Sequence, residues 1–202
     1  MNRSVLALLP LFLLVFAVDI GAAPNPTELR AGVFDPPRLA PDFSLRGSDG
    51  SELKLSRYRG KVVALAFGYT NCPSVCPVTL GYLAEARKKL GAGAKDLQVV
   101  FVTVDPERDD TEHLKKFVAF FDPTFVGATG TPGQLAEIRK VYGITMSNKI
   151  FTDAAAKSRG IYYLDHSSFV YLIDREGKLR AMMPFGVTAD DIEHDAKALL
   201  SR

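Results

Sequence analysis

Residues 61–77 read Lys61-Val62-Val63-Ala64-Leu65-Ala66-Phe67-Gly68-Tyr69-Thr70-Asn71-Cys72-Pro73-Ser74-Val75-Cys76-Pro77. The run after Lys61 is continuously apolar to Phe67, the pattern of a strand covered on both faces. Helical spacing follows over Val78 to Leu90, and Lys88 and Lys89 near its end suit the negative pole of a helix dipole. Cys72 and Cys76 therefore sit where a buried strand gives way to a helix.

On the N-terminal side, residues 40–55 alternate around Asp49-Gly50 like a small hairpin. On the C-terminal side, Leu97 to Val104 reads as a second apolar strand. Asp109 and Glu112 are spaced as a capping box for a helix to about Phe121. Thr131-Pro132-Gly133-Gln134 combines a cap, a first-turn proline and a box partner, and predicts a helix to about Tyr142. Phe169–Ile173 and Lys178–Met183 flank the turn at 174–177 as a hairpin, and Thr188–Leu200 closes the chain as an amphipathic helix. The order predicts an α/β domain: a central mixed β-sheet flanked by helices, with an N-terminal β-hairpin extension and a ligand site beyond the carboxyl ends of its strands. It resembles a thioredoxin-like fold, in which a cysteine pair opens the first major helix.

The 202-residue chain has a net charge of +2 and no long run of either sign, which argues against nucleic acid as a partner. Hydrophobic residues at 47% and charged ones at 24% exclude a disordered chain and a multi-span membrane protein. Two cysteines exclude a disulfide-stapled miniature and an all-cysteine zinc site. A positive start at Arg3, an apolar stretch over Val5–Val18 and small residues at 21–23 read as a signal peptide or short membrane anchor over 1–23. Export follows from either. Five prolines (Pro24, Pro26, Pro36, Pro37, Pro41) cluster next, so 24–39 is expected to be a linker and 40–202 the folded domain.

Cysteines four apart on a helical turn share a face, close enough to bridge or to share a metal. The helix N-terminus favours thiolate over thiol. A disulfide would close too small a loop to stabilise much. Of the three histidines, His113 and His194 fall in charged surface helices. His166, in Asp165-His166-Ser167-Ser168, precedes a core strand on a loop expected to face the cysteine turn. Two thiolates with one imidazole suit copper, Cu(I) above all, whereas structural zinc would want a fourth ligand.

Residues 68–77, Val104-Asp105-Pro106-Glu107-Arg108-Asp109, and Asp165-His166-Ser167 before Tyr171-Leu172-Ile173-Asp174 together resemble the Sco/SenC family of copper-binding cytochrome c oxidase assembly proteins. The resemblance runs from about Ala40 to the C-terminus. It implies a thioredoxin-like domain on the periplasmic or intermembrane-space side of a membrane. One copper per chain, Cu(I) and/or Cu(II), would be held by Cys72, Cys76 and His166. The implied role is a metallochaperone: delivery of copper to, or reduction of the cysteines of, the dinuclear copper A site of oxidase subunit II. The implied partners are that subunit and another copper carrier, with the chain itself a monomer. Asp105, Arg108 and Asp109 match the family's acidic/arginine segment and read chemically as a loop-ordering ion pair and a helix cap. Residues 146–160 are loosely patterned and are expected to form a mobile loop that lets His166 approach the cysteines.

Two enzymes compete. A thiol-disulfide oxidoreductase would use Cys72 as attacking thiolate and Cys76 as resolving thiol, so that the pair cycles through a disulfide. Against it, the spacing is CxxxC and the facing loop carries a histidine where such enzymes carry proline. A peroxiredoxin is suggested by Ala40-Pro41-Asp42-Phe43, but the Thr or Ser three positions before its peroxidatic cysteine is missing here.

Overall fold

The computed structural model describes residues 28–202, so the segment read as signal or anchor lies outside the described residues. The described chain forms one eight-stranded mixed sheet in the order β1-β8-β7-β4-β5-β6-β2-β3. The strands are β1 Gly32–Leu39, β2 Ser44–Gly47, β3 Glu52–Lys54, β4 Val62–Gly68, β5 Leu97–Thr103, β6 Val126–Thr129, β7 Phe169–Ile173 and β8 Lys178–Pro184. The helices are α1 Val75–Leu90, α2 Thr111–Phe121, α3 Pro132–Tyr142, α4 Ala154–Ser158 and α5 Ala189–Leu200. β4, β5 and β6 run parallel, and the remaining pairings are antiparallel.

β4 is buried at every position, as its unbroken apolar run requires. Because strand side chains alternate, its residues serve two cores. Val63, Leu65 and Phe67 join Leu135, Ile138 and Tyr142 of α3 on one face. Val62, Ala64 and Ala66 join Leu80 and Leu83 of α1, Leu114 and Val118 of α2, and Ile192, Ala196 and Leu199 of α5 on the other. Strands β4 and β5 end together, at Gly68 and Thr103, and the cysteine turn leaves from that edge.

Three readings change. Of the expected linker, Gly32–Leu39 is a strand paired with β8. Pro36 and Pro37 cannot donate to a ladder, which explains both its place at the sheet edge and its shifted register between Val33 and Arg38. The expected N-terminal hairpin is β2–β3, and β2 joins it to the sheet through β6. Helix α1 begins at Val75, taking Cys76 and Pro77 into its first turn, where a missing N–H costs little. Helix α2 is capped by Asp110, whose carboxylate accepts from His113 N–H. Asp109 is buried and used elsewhere. Thr131 and Gln134 do form a capping box on α3, as do Thr188 and Asp191 on α5.

Candidate functional site

The site assembles from three loops at the carboxyl ends of the parallel strands. From β4, Gly68 leads into the cysteine turn, and a β-carbon there would lie 2.6 Å from the Cys76 sulfur and 2.7 Å from the Phe101 ring. Only glycine leaves room for that thiol. Cys76 is 4% exposed, Cys72 half-buried, and the two sulfurs are unbridged.

Ser74 caps α1 without a side-chain hydrogen bond. The Cys72 sulfur takes that place. It accepts a hydrogen bond from the Cys76 thiol and others from the N–H groups of Cys76, Ser74 and Val75, which outweigh its burial and bring its pKa down to about 5. These are the orphan donors at the positive end of a helix, where thiolate is favoured. Cys76 is pushed well above the ordinary thiol range, because it donates to Cys72 and because it is buried. The pair is thus one thiolate and one thiol, sharing a proton along one hydrogen bond.

His166 stands opposite. Its Nδ1 lies 2.9 Å from the Ser167 carbonyl oxygen, which can only accept, so the proton sits on Nδ1. In the neutral ring Nε2 then carries the lone pair, 3.9 Å from the Cys76 sulfur. That tautomer is the ligating one. Cys72 and His166 line the same cleft, of about 220 Å³, together with Tyr69, Tyr163 and Asp165. The three donors expected from the sequence thus share one locality. Among the described residues no three His, Cys, Asp or Glu side chains are already closed to ligating distance. His113 and His194 lie elsewhere, beside Asp110 and Asp195.

Several residues that shape the site carry no ligand signature. Asp109, fully buried, accepts from Thr70 N–H at 3.0 Å, from the Thr70 hydroxyl at 2.6 Å and from the Thr103 hydroxyl at 2.6 Å. It pins the cysteine turn to the end of β5, and burial raises its pKa despite those bonds. Asp105 and Arg108 do form the expected ion pair, at 2.5 Å. Arg108 also donates to the Tyr162 carbonyl at 2.9 Å and stacks 3.6 Å from the Tyr162 ring. The Tyr162 hydroxyl donates to Asp105 at 2.8 Å, and Leu164 N–H donates to the Tyr69 hydroxyl at 3.2 Å. The cysteine turn, the acidic/arginine loop and the histidine loop are thereby tied together. An acid inside a charged DPERDD run gives no sign of burial. The Thr70 partner two residues before Cys72 is visible only in three dimensions. Residues 146–160, expected as a loop, carry α4 and two single bridges, Met146 to His166 and Ile150 to Tyr163.

The SCO1/SenC family model matches residues 33–201. The SCO2-like protein RP587 of Rickettsia prowazekii is 30% identical over 172 residues, covering 83% of this chain and 82% of its own. Copper-bound ScoI of Bradyrhizobium japonicum superposes with a TM-score of 0.71 at 30% identity, over 80% of this chain and 99% of its own. BsSco, a member of the Sco family of cytochrome c oxidase assembly proteins in which a disulfide switch was identified, gives a TM-score of 0.61 at 26% identity, over 82% and 95%. The chain belongs to the SCO1/SenC family, and its fold is thioredoxin-like.

Proposed function

We propose that this SCO1/SenC-family chain is a copper-binding assembly factor for cytochrome c oxidase, acting as a metallochaperone toward the dinuclear copper A site of subunit II. The observation that carries the reading is the donor geometry: Cys72 and Cys76 unbridged at the start of α1, one half-buried and one buried, with the His166 Nε2 3.9 Å from the Cys76 sulfur. Cys72, Cys76 and His166 would hold one copper per chain as the protein's cargo. Thiolates and imidazole are donors that Cu(I) accepts, and a three-donor set suits that ion better than a closed zinc site. Copper-bound Sco relatives and the Sco family's place in oxidase assembly support the reading. Binding would displace the proton shared by Cys72 and Cys76, and His166 would add its Nε2, which lies 3.9 Å from the Cys76 sulfur, a separation that two donors to one ion can keep.

The asymmetry of the cysteines favours a second use of the same pair. Cys72, a thiolate near neutral pH, attacks one sulfur of a partner's disulfide, and the Cys76 thiol, once deprotonated, resolves the mixed disulfide. The chain's dithiol is oxidised to a disulfide as the partner's disulfide becomes two thiols. Reduction of the subunit II cysteines before copper delivery would use that chemistry.

The reading places the chain as a monomer outside the cytoplasm, with subunit II as recipient and a separate copper carrier as donor. No helix among the described residues is long and apolar enough to cross a membrane. The test is to mix two equivalents of the Cu(I)-loaded chain with one of a metal-free, reduced subunit II domain, separate the two proteins and measure the copper in each. Copper lost from the chain and recovered on the subunit II domain supports delivery. If only an oxidised subunit II domain reacts, gaining two thiols without copper transfer, reduction is the principal role.

A further inference from the structure

A second cleft, of about 230 Å³, opens beside the one lined by Cys72 and His166, and Leu164 is a wall of both. It lies between the acidic/arginine loop, α3 and the segment 146–149, with Val104, Pro132, Met146 and Leu164 as apolar surface. Its charged side chains are Asp105, Glu107, Arg139 and Lys149, and three of them are paired. The two Asp105 oxygens accept from Arg108 Nε at 2.5 Å and from the Tyr162 hydroxyl at 2.8 Å. Glu107 accepts from Lys149 at 2.5 Å. Arg139 is the exception. Half-buried in the last turn of α3, its guanidinium has no hydrogen bond and no ion pair among the described residues. Burial lowers its pKa, and no carboxylate offsets that loss of water. The Asn148 side-chain amide, on the same cleft, is also without a partner among the described residues.

We propose that this cleft is a carboxylate-binding site, in which Arg139 receives an Asp or Glu side chain of the protein to which copper is passed. The inference rests on the delivery reading above and adds to it how the recipient is recognised. A half-buried guanidinium has given up water without gaining a partner, and a carboxylate supplies two parallel charge-assisted hydrogen bonds to its planar fork. One unpaired cation beside one neutral amide matches a single negative charge, whereas a phosphate carries more charge than the cleft can meet. The apolar walls suit the methylene stem of a side chain better than a free ion. Place supports the same occupant. Even a transient complex covers on the order of 600 Å² per partner, so a protein seated over Cys72 and His166 also covers a cleft that shares a wall with theirs.

The experiment follows the Arg139 Nε–H signal by NMR in the full-length reduced chain as a terminally blocked Gly-Gly-Glu-Gly-Gly peptide is added, with the Gln counterpart and acetate as comparisons at the same millimolar concentration. In parallel, Cu(I) transfer is timed from the loaded wild type, Arg139→Gln and Arg139→Lys to the reduced subunit II domain and to a small uncharged chelator. The expected result is an Arg139 signal that moves with the Glu peptide and moves less with either comparison. Transfer to the protein should slow about tenfold in Arg139→Gln, the low end for losing a hydrogen bond to a charged group, and less in Arg139→Lys, which keeps the charge and loses the fork. Transfer to the chelator should be unchanged in both variants. An Arg139 signal that ignores the Glu peptide or responds as much to the Gln peptide overturns the proposal, and an equal response to acetate makes the cleft a free-ion site and overturns it too. Equal transfer rates to the subunit II domain also overturn it and leave the copper reading standing. Failure of the wild type to pass copper to that domain removes the delivery reading, and the peptide titration then still decides whether the cleft takes a carboxylate.

Discussion

The proton shared by Cys72 and Cys76 decides what either can do. Cys72, brought down to about 5 from an ordinary 9.0, should stay reactive in acid where a common thiol would not. In the reduced chain, its alkylation rate should hold nearly level as pH falls and drop only below about 5, while Cys76 reacts far more slowly. Mass spectrometry of the labelled chain checks both. An unshifted thiol would instead lose about tenfold per pH unit below its ordinary value. The same shift bears on stability. A group whose pKa is lowered by folding has lost its proton in the native state while the unfolded chain keeps it, so stability rises with pH between about 5 and 9.0 and is lost as pH falls through the lower value. Urea midpoints of the reduced wild type should follow that slope, and those of Cys72→Ser should not. Gly68 sets the other residue-scale limit. Gly68→Ala drives a methyl into the Cys76 sulfur and the Phe101 ring and should cost about 1–3 kcal/mol, read by chemical denaturation of the reduced chain.

At the scale of elements, the cysteine turn is held by what β5 and its following loop present to it. Asp109→Ala leaves the part-buried Thr70 N–H and the buried Thr103 hydroxyl without their acceptor, and the Thr70 hydroxyl with Asn71 alone, and should destabilise the domain by about 1–3 kcal/mol. The amide of Thr70 should then exchange with solvent faster than in wild type, measured by hydrogen exchange. A helix-capping Asp109 would instead loosen the start of α2, and Asp110 occupies that role. The strands and helices with strong periodicity were legible in sequence: the all-buried β4, and α3 with its box of Thr131, Pro132 and Gln134. The short β6 was not. Its four residues include Gly127, whose missing β-carbon lets Leu114 of α2 approach to 2.7 Å of that position. Its pairing with β2 comes from tertiary contact. Strand β1 was hidden by its prolines, which argue against a central strand and are tolerated at an edge. Of the site, the nearness of Cys72, Cys76 and His166 was legible because cysteine and histidine are rare in this sequence. The ties through Asp109, Tyr69 and Tyr162 were not, since ordinary residues acquire those roles only by burial.

Across the whole molecule, the two cores on either face of the sheet fix β4 and β5, and the site hangs from their common edge on three mutually bonded loops. Such a scaffold buries Cys76 under the sheet edge and leaves His166 half-buried on its own loop, 3.9 Å from the Cys76 sulfur. Losing His166 should therefore weaken copper binding without unfolding the domain, and losing either cysteine should abolish it. The direct measurement is copper stoichiometry on the reduced chain beside Cys72→Ser, Cys76→Ser and His166→Ala, with thiols titrated before and after loading. The account predicts one copper per wild-type chain, none in either cysteine variant and a loosely held ion in the histidine variant. A wild-type chain that binds no copper yet cycles readily between dithiol and disulfide would contradict it.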